Sequence, residues 1–340
     1  MNIIIFGYGV SGKYCASILL KNKKINKIFI IDSIKHKLNS TKIFQITLSE
    51  FLQKNYNCTH AIICTPSGEH FKYASICLNK NINVLIEKPF VLKLQEAKKL
   101  IENLKNKKIK CWTILQNRYN KAVVNLKKKI NKLNFKNISF VDCTLYWKRD
   151  KKYYANNWRG RYSTDGGVLT NQGIHLLDAL IYVFGKIKHF NALASYNKKK
   201  LQAEDQITIN FLHRNNILSS YKATTRANRN YQAAIDVLSK DGRFKVRGIS
   251  LNLFLNYKNN DFYVDKRNSE NFSSKPGQKG GMGNGHYKIL EEFLNTKIKK
   301  SSKNLEIKNN IYILQLIHSI YNNINKNISK VSDKQSILGR

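Results

Sequence analysis

The first 118 residues alternate short apolar runs with segments of helical periodicity. Ile3-Ile4-Ile5-Phe6 is a continuous apolar run, which is typical of a strand buried on both faces of a parallel sheet. Further apolar runs predict strands at 27–32, 60–65, 83–86 and 111–115, and periodic segments between them predict helices at 11–21, 71–78 and 94–104. Alternating strand and helix units predict a doubly wound parallel sheet, so we place a first domain at residues 1–118.

The pattern changes beyond this point. Apolar and polar positions alternate at 138–147 and 206–211, which predicts strands with one face on the core and one face more exposed. Helices are predicted at 120–132, 174–184, 287–294 and 308–324, and a loop rich in glycine at 275–285. The sequence therefore predicts a second α/β domain at residues 119–340.

The composition adds a large positive charge to this picture. The chain has 60 Lys and Arg against 21 Asp and Glu, a formal net charge of +39. Because the lysines are scattered along the whole chain, they indicate a global residue bias, and no specific nucleic-acid partner is expected. The positive field favours anionic ligands. The six cysteines lack CxxC spacing, so we expect reduced thiols and no metal site.

Targeting features are also missing from the sequence pattern. No run of about 18 uncharged apolar residues predicts a membrane span. Residues 1–6 lack the basic segment and the cleavage site of a signal peptide. We therefore expect a cytoplasmic protein with no membrane partner.

Gly7, Gly9 and Gly12 form a G-x-G-x-x-G pattern between the first predicted strand and helix. The first glycine permits a tight turn, the second lets the backbone approach a pyrophosphate, and the third allows close packing of helix on strand. Asp32, twenty residues after Gly12, ends the next strand, where a carboxylate accepts hydrogen bonds from the adenosine ribose. The pattern predicts a nicotinamide dinucleotide site. The alternative is an ordinary glycine turn with a surface aspartate.

The carboxylate of Asp32 favours NAD over NADP because it repels a 2′-phosphate. Ser33, Lys35 and Lys37 follow it directly and could hold that phosphate. NAD is the predicted cofactor, with NADP as the alternative.

Two later motifs carry candidate catalytic groups. Glu87-Lys88-Pro89 lies at the carboxyl end of a predicted strand, where open α/β sheets bind ligands. Asn171 and His175 are four residues apart at the start of a predicted helix, and a histidine there suits proton abstraction from an alcohol. Taken alone, Lys88 could be a solvated lysine and His175 a residue that only caps or packs its helix.

Several motifs in order resemble the glucose–fructose oxidoreductase, inositol dehydrogenase and rhizopine-catabolism family, written Gfo/Idh/MocA. Besides the glycine turn they are Thr65-Pro66-Ser67 with His70, Glu87-Lys88-Pro89, Gln116-Asn117-Arg118-Tyr119, Trp158-Arg159-Gly160 and Gly166-Gly167 through His175. The resemblance runs from Asn2 to about Lys326. It implies a Rossmann domain followed by an α/β domain with a large, mostly antiparallel open sheet. It also implies homodimers or homotetramers that assemble through the exposed sheet face.

The resemblance assigns roles to residues. It implies that Lys88 lies beside the nicotinamide, that His175 is the general acid/base, and that Asn171 joins them in catalysis. The implied cofactor-binding residues are Gly7, Tyr8, Gly9, Val10, Gly12, Asp32, Ser33, Cys64, Thr65, Pro66, His70, Glu87, Lys88, Gln116, Trp158 and Arg159. The expected reaction is hydride transfer between NAD(P) and a carbinol carbon of a sugar, cyclitol or nucleotide sugar.

Asn171 departs from the family pattern, in which many members carry aspartate at this position. An amide cannot act as a carboxylate base, but it can orient a substrate hydroxyl. The Asn-Gln-Gly-Ile-His variant resembles the branch of nucleotide-sugar 3-dehydrogenases, which act on UDP-N-acetylglucosamine or its uronic acid.

Substrate residues are less visible in the sequence. The candidates are Lys88, Arg118, Tyr146, Tyr162, Asn171 and His175, with Lys148, Arg149, Tyr153, Tyr154 and Arg161 as further basic and aromatic groups. An anionic sugar or nucleotide sugar is expected, although a generally basic surface with structural tyrosines would give the same pattern. A dinucleotide-binding sensor without turnover and a nucleic-acid-binding protein remain the alternatives to an enzyme.

Overall fold

The computed structural model describes residues 1–155, 158–196, 201–258, 261–267, 285–295 and 300–326. Its first domain is built on six strands: β1 Asn2–Phe6, β2 Lys27–Ile31, β3 Ile43–Gln45, β4 Cys58–Ile63, β5 Asn83–Ile86 and β6 Cys111–Thr113. They form one sheet in the order β3-β2-β1-β4-β5-β6, and every pairing is parallel. Strands β1 to β3 are added toward one edge of the sheet and strands β4 to β6 toward the other, so the strand order reverses between β1 and β4. The carboxyl ends of these two strands define the crevice where such sheets bind ligands.

Helices cover both faces of this sheet: α1 Val10–Leu19, α2 Leu48–Gln53, α3 His70–Asn79 and α4 Leu94–Asn103. Ile3 to Phe6 are 0% exposed, as the continuous apolar run predicts. The short elements β3 and α2 were not predicted. Three residues are too few to show a strand period, and Phe44 in β3 is exposed.

The second domain contains an eight-stranded sheet. Its strands are β7 Ile138–Tyr146, β8 Ile187–Ser195, β9 Gln206–His213, β10 Leu218–Thr224, β11 Gln232–Ser239, β12 Gly242–Arg247, β13 Leu253–Lys258 and β14 Asp261–Val264. The order is β14-β13-β12-β11-β7-β10-β9-β8. Only the β7–β10 pairing is parallel among the pairs described. The predicted α/β class with a mostly antiparallel second sheet is therefore confirmed.

One face of this sheet packs against helices α5 Lys121–Ile130 and α7 Ile174–Phe184. Burial alternates along β9, as the sequence pattern predicts. The opposite face carries exposed apolar side chains, including Phe140, Leu193, Leu218 and Leu238. Assembly of two or four copies through this face stays a prediction, which the mass of the protein in solution would test.

The last two helices return to the first domain. Helix α8 Gly285–Leu294 contributes Ile289 and Phe293 to the core beside β1, and helix α9 Ile307–Asn323 places Leu314 in the core on the other side of the sheet. Ile317 on the same helix lies in the core of the second domain. The boundary predicted at residues 118/119 stays a prediction, and the predicted loop at 275–285 lies outside the described residues except for Gly285, which opens α8.

The remaining helix, α6 Lys151–Tyr154, and a π-helical turn at Leu169–Gly173 follow β7 and precede α7. All six cysteines are free thiols. In the described part of the chain, no helix is long and apolar enough to cross a membrane. Within the same residues, no cluster of three His, Cys, Asp or Glu side chains could hold a metal ion.

Candidate active site

The glycine turn has the shape that a dinucleotide needs. Gly7 has φ +84°, and a Cβ there would lie 2.7 Å from the backbone of Cys64. A Cβ on Gly12 would lie 2.0 Å from Gly7 O, so the helix packs directly on the turn. A Cβ on Gly9 would meet nothing within 4 Å. Gly9 caps α1 without a side-chain hydrogen bond, so the first N–H groups of the helix are available to an anion.

Asp32 lies beside this turn. Its Oδ2 accepts a hydrogen bond from Tyr8 N at 2.5 Å, and its Oδ1 accepts one from Ile34 N at 3.0 Å. Burial alone would raise the pKa of Asp32, but these hydrogen bonds and His36 outweigh it, and the pKa is lowered. Asp32 is therefore an anion at neutral pH. Ser33 next to it is exposed.

His36 is a residue at this end of the site that sequence reasoning missed. Its Nε2 lies 3.5 Å from Asp32 Oδ2, and its ring packs edge-on against Tyr8 with centroids 5.2 Å apart. A histidine in a loop beyond a strand has no motif to mark it. Its proximity to Asp32 depends on the fold of the loop, which the sequence alone does not predict.

Thr65 and Pro66 follow β4, next to the glycine turn. Thr65 Oγ1 is buried, and none of the described residues gives it a hydrogen-bond partner. An orphaned buried hydroxyl beside the open turn fits a bound cofactor that supplies the missing partner. Cys64 contributes its backbone to the turn, while its thiol is neutral because a hydrogen bond with Cys15 and burial raise its pKa.

His70 does not offer its ring to the crevice. Its Nδ1 lies 2.8 Å from Pro89 O and its Nε2 2.9 Å from Thr65 O, and the residue is 1% exposed. Both ring nitrogens are thus used by backbone carbonyls. His70 therefore connects the turn after β4 to the corner after β5, and the cofactor contact implied for it stays a prediction.

Lys88 leaves the corner after β5 and reaches the second domain. Its Nζ donates to Asn171 O at 2.8 Å and lies 3.4 Å from Asn171 Oδ1. Burial lowers the pKa of Lys88, and the charges of Glu87 and Asp165 oppose that effect. The predicted catalytic lysine and Asn171 are therefore in direct contact.

Glu87 is buried beside Lys88. Its Oε2 accepts from Lys88 N at 3.1 Å, and its Oε1 lies 3.5 Å from His286 Nε2. Burial alone would raise the pKa of Glu87, but the hydrogen bond and charge of His286 and the charge of Lys88 lower it to about 2. His286, in the first turn of α8, is a second site residue that sequence reasoning missed.

His175 opens α7 and faces Gln116. Gln116 Nε2 lies 3.0 Å from His175 Nδ1. A bond donated by that NH₂ group would keep the ring proton on Nε2 and leave the ring without a free acceptor. Gln116 Oε1 is buried with no partner among the described residues. A half-turn of the amide would let Nδ1–H donate to Oε1 and free Nε2 as a proton acceptor. Gln116, implied as a cofactor residue, thus sets the tautomer of His175.

The pKa of His175 is lowered well below its usual value. Burial is the largest cause, and the charge of Lys88 adds to it, while Glu87 opposes both. The imidazole is therefore neutral at pH 7. A neutral ring at this place can accept a proton from an alcohol.

The Trp158-Arg159 pair is connected to Asn171 through Tyr153, whose Oη lies 3.4 Å from Asn171 Nδ2. The guanidinium of Arg159 stacks 4.2 Å from the Trp158 ring and 4.0 Å from the Tyr153 ring. It donates to Tyr153 Oη, which also accepts from Gln172 Nε2 at 2.9 Å. Arg159 and Tyr153 therefore belong to the same cluster as Asn171.

Arg118 was expected to bind substrate, and its contacts in the structure are with other groups of the protein. Its guanidinium donates to both carboxylate oxygens of Asp178 at 2.6 and 3.1 Å and to Asn304 O at 2.6 Å. This bidentate ion pair ties the turn after β6 to α7. Arg118 is thus committed to holding α7 in place.

Lys88, Asn171, Tyr153 and Arg159 are connected by side-chain contacts and form what we call the Lys88 cluster. No contact described connects Tyr146 or Tyr162 to it. Tyr146 is the last residue of β7. Tyr162 packs edge-on against Tyr321 of α9, with ring centroids 5.4 Å apart. Their predicted role in substrate binding finds no support in these contacts.

A cavity of about 550 Å³ opens next to α6. It is lined by Arg149, Asp150, Lys151, Tyr154, Leu201, Asp205, Thr225 and Arg226. Asp205 is paired with Arg226 at 2.6 Å, and Asp150 caps α6 through Tyr153 N at 3.0 Å. Arg149 is free of carboxylates in these contacts, and its Nε is buried with no partner among the described residues. The charge of Arg149 also lowers the pKa of Lys88, so the cavity places near that lysine a guanidinium that pairs with no carboxylate in the contacts described.

Both domains match family models of known proteins. Residues 1–114 match the oxidoreductase family model for the NAD-binding Rossmann fold, and residues 123–248 match the model for the Gfo/Idh/MocA C-terminal domain. The chain belongs to the Gfo/Idh/MocA oxidoreductase family. Its first domain therefore has the NAD-binding Rossmann fold of that family, as the resemblance implied.

Individual relatives are distant. Scyllo-inositol 2-dehydrogenase (NADP(+)) IolW of Bacillus subtilis is 23% identical over 212 residues, which are 62% of this chain and 57% of that protein. The uncharacterized oxidoreductase YhhX of Escherichia coli is 29% identical over 128 residues, 38% of this chain and 36% of that protein. The chain thus matches little more than half the length of the first relative and about a third of the second.

Solved structures resemble the whole chain. The WlbA dehydrogenase of Bordetella pertussis, in complex with NADH and UDP-GlcNAcA, has a TM-score of 0.78 at 20% identity and covers 96% of both chains. Levoglucosan dehydrogenase, in complex with NADH and L-sorbose, has a TM-score of 0.74 at 17% identity over 96% of this chain and 97% of that one. At these identities the similarity shows a shared fold.

Proposed function

We propose that this protein is an NAD-dependent dehydrogenase that acts on a carbinol carbon of a sugar, cyclitol or nucleotide sugar. The observation that carries the proposal is the contact of Lys88 Nζ with Asn171 O at 2.8 Å. It brings a lysine at the ligand-binding edge of the Rossmann sheet next to the turn that leads into His175. NAD, when bound, supplies the acceptor for hydride from the substrate carbon.

The chain's own groups handle the hydroxyl. Lys88 and His175 both bond it, and the positive charge of Lys88 stabilises the developing alkoxide. His175, neutral and oriented by Gln116, takes the proton directly or through Lys88. Asn171 keeps the ammonium of Lys88 in place through its two oxygen atoms.

The substrate is expected to be anionic. Arg149 and Lys151 line the cavity together with Tyr154, and a carboxylate or diphosphate there could pair with the guanidinium of Arg149, which pairs with no carboxylate in the contacts described. A nucleotide sugar fits a cavity of this size. A UDP-N-acetylhexosamine or its uronate, reacting at C3, is the candidate that agrees with the ligand of the WlbA complex. Free sugars and cyclitols are the second class to be tested.

The proposal is tested by a screen of sugars, cyclitols and nucleotide sugars with NAD, followed at 340 nm. We expect NADH to form with at least one anionic member of the screen. If the protein binds NAD, as measured by calorimetry, and turns over no member in either direction, the result favours a sensor that binds the dinucleotide without chemistry.

Replacing Asp32 by serine should reduce the preference for NAD. A hydrogen bond to a charged group is worth about 1.5–3 kcal/mol, so kcat/KM with NAD should fall about 10- to 100-fold, while repulsion of a 2′-phosphate is relieved. The measurement is kcat/KM with NAD and with NADP for both proteins. Asp241→Asn removes an exposed carboxylate and should change neither value. A wild-type kcat/KM higher with NADP would contradict the assignment of NAD.

Replacing Arg149 by glutamine should weaken binding of an anionic substrate. Loss of one charge-assisted hydrogen bond should raise KM about tenfold or more and change kcat less. Lys148→Gln, which removes the exposed neighbouring charge, is the matched control. An equal rise of KM in both variants would assign the effect to the general positive field and not to the cavity.

A further inference from the structure

A buried carboxylate lies directly behind the amide of Asn171. Asp165 is 3% exposed. Its Oδ1 accepts a hydrogen bond from Asn171 Nδ2, and its Oδ2 accepts one from Gly160 N at 3.1 Å. Because the NH₂ group of Asn171 points at Asp165, its Oδ1 points the other way, toward Lys88 Nζ. Hydrogen bonds therefore run from the buried carboxylate through the amide to the lysine.

We propose that Asp165 is a positioning residue. Its carboxylate acts on Lys88 through the side-chain amide of Asn171, which contacts both groups. It fixes the amide of Asn171 with the oxygen toward the lysine, and it places a negative charge behind that oxygen. The inference rests on the proposed dehydrogenase function, because it concerns how Lys88 is held for that reaction.

The side chains of Asp165 and Asn171 are complementary as hydrogen-bond acceptor and donor. Asp165, when ionised, only accepts hydrogen bonds, and the amide offers it two N–H donors. An aspartate at position 171 would face Asp165 directly, and two carboxylates in contact cannot both ionise. With asparagine at 171, one carboxylate and one amide occupy the two places without conflict.

The backbone around Asp165 fixes the carboxylate. Asp165 N and Gly166 N both donate to Arg161 O, at 3.0 and 2.9 Å. Gly166 has φ +75°, and a Cβ there would lie 2.6 Å from Thr170 Cβ. This tight turn precedes the π-helical turn at Leu169–Gly173, which contains Asn171. Such π-helical turns are often found at functional sites.

Lys88 and Asp165 both lie among charged and titratable groups. Lys88 is influenced by Glu87, Asp165, Arg159, Arg149, His70 and His175. Burial raises the pKa of Asp165 above its usual value, and the hydrogen bond from Gly160 N and the charges of Arg159 and Lys88 oppose that rise. Tyr153 and Tyr154 lie near the same carboxylate. Burial lowers the pKa of Lys88, and Asp165 is one of two carboxylates that oppose this. Removing its charge should therefore lower the pKa of Lys88 further.

Three variants test whether Asp165 acts on Lys88 through Asn171, because they remove the carboxylate at position 165 or place one at position 171. Asp165→Asn should lower kcat on the order of 100-fold, the loss expected when a reacting group is displaced by about 1 Å, and leave NAD binding near that of the wild type. Asn171→Asp should also be impaired, because two carboxylates then share the site. The double variant Asp165→Asn/Asn171→Asp again has one carboxylate and one amide, and kcat should recover at least about tenfold over Asp165→Asn.

A second measurement does not depend on turnover. Competitive acylation of Lys88 as a function of pH, followed by peptide mass spectrometry, reports the titration of the lysine itself. The midpoint should lie at lower pH in Asp165→Asn than in the wild type. Glu204→Gln is the control, since Glu204 is a buried carboxyl of the same region that accepts from Leu169 N and Tyr321 Oη and does not contact Asn171 in the bonds described.

Two results would overturn the inference. One is an Asp165→Asn variant with the wild-type kcat and the wild-type labelling midpoint. The other is a double variant no more active than Asp165→Asn, since a purely structural role predicts two losses that add. If the wild type turns over no substrate, the proposed function fails, and the labelling midpoint still decides whether Asp165 acts on Lys88.

Discussion

Replacing Lys88 by methionine should lower kcat by at least about 10²- to 10⁴-fold while NAD binding stays close to that of the wild type. Methionine keeps much of the length and apolar volume of the side chain but has no ammonium to bond the reacting hydroxyl. The developing alkoxide then loses a preorganised positive charge in a buried site, where such a charge acts strongly. Turnover is measured at 340 nm with the substrate found in the screen, and NAD binding by calorimetry.

Lys93→Met is the control for this variant. The side chain of Lys93 is 72% exposed and lies 3.9 Å from Glu96 at the start of α4, so its loss removes a lysine from the same domain without touching the site. It should leave both kcat and NAD binding unchanged. Full turnover in Lys88→Met would remove the lysine from the mechanism, and loss of NAD binding in the same variant would give it a cofactor role instead.

The parts of the fold that the sequence predicted depend on neighbours in the chain. The apolar run at residues 3–6, the glycine turn that follows it and Asp32 at the end of β2 lie within one strand–helix–strand unit. Their residue types are set by local backbone needs, such as the φ of +84° at Gly7. A single sequence therefore contains enough information to predict them.

The parts that the sequence did not predict depend on contacts between distant segments. Gln116 and His175 are 59 residues apart, and Arg118 and Asp178 are 60 residues apart. His286 reaches Glu87 only because α8 returns to the first domain after the second sheet has been completed. No spacing rule links such pairs. From the sequence, Arg118 was therefore named as a substrate-binding candidate, and His286 was given no role.

The site combines two electrostatic environments within one buried cluster. Glu87 keeps its charge because His286 and Lys88 lie beside it, and its pKa falls to about 2. His175 loses its charge because burial and Lys88 both lower its pKa. Lys88 thus lowers the pKa of both neighbours, which keeps Glu87 charged and His175 neutral. A change at Lys88 should therefore be detectable in the titration of His175.

Replacing His175 by alanine should lower kcat about 10²- to 10⁴-fold and remove the acid limb of the pH profile. In the wild type the imidazole must be neutral to accept a proton. Its pKa is lowered in the folded protein, so activity should persist as pH falls to 6.5 and be lost only below that value. The measurement is kcat/KM against pH for the wild type, for His175→Ala and for Lys88→Met.

The charge of Lys88 gives this prediction a second, signed consequence. Because that charge lowers the pKa of His175, its removal in Lys88→Met should move the acid limb of the residual activity to higher pH. His189→Ala, which removes an exposed histidine of β8, should leave kcat and the acid limb as in the wild type. An acid limb that persists in His175→Ala would assign the titration to another group, and a limb that moves to lower pH in Lys88→Met would show that the two side chains are not coupled as their positions require.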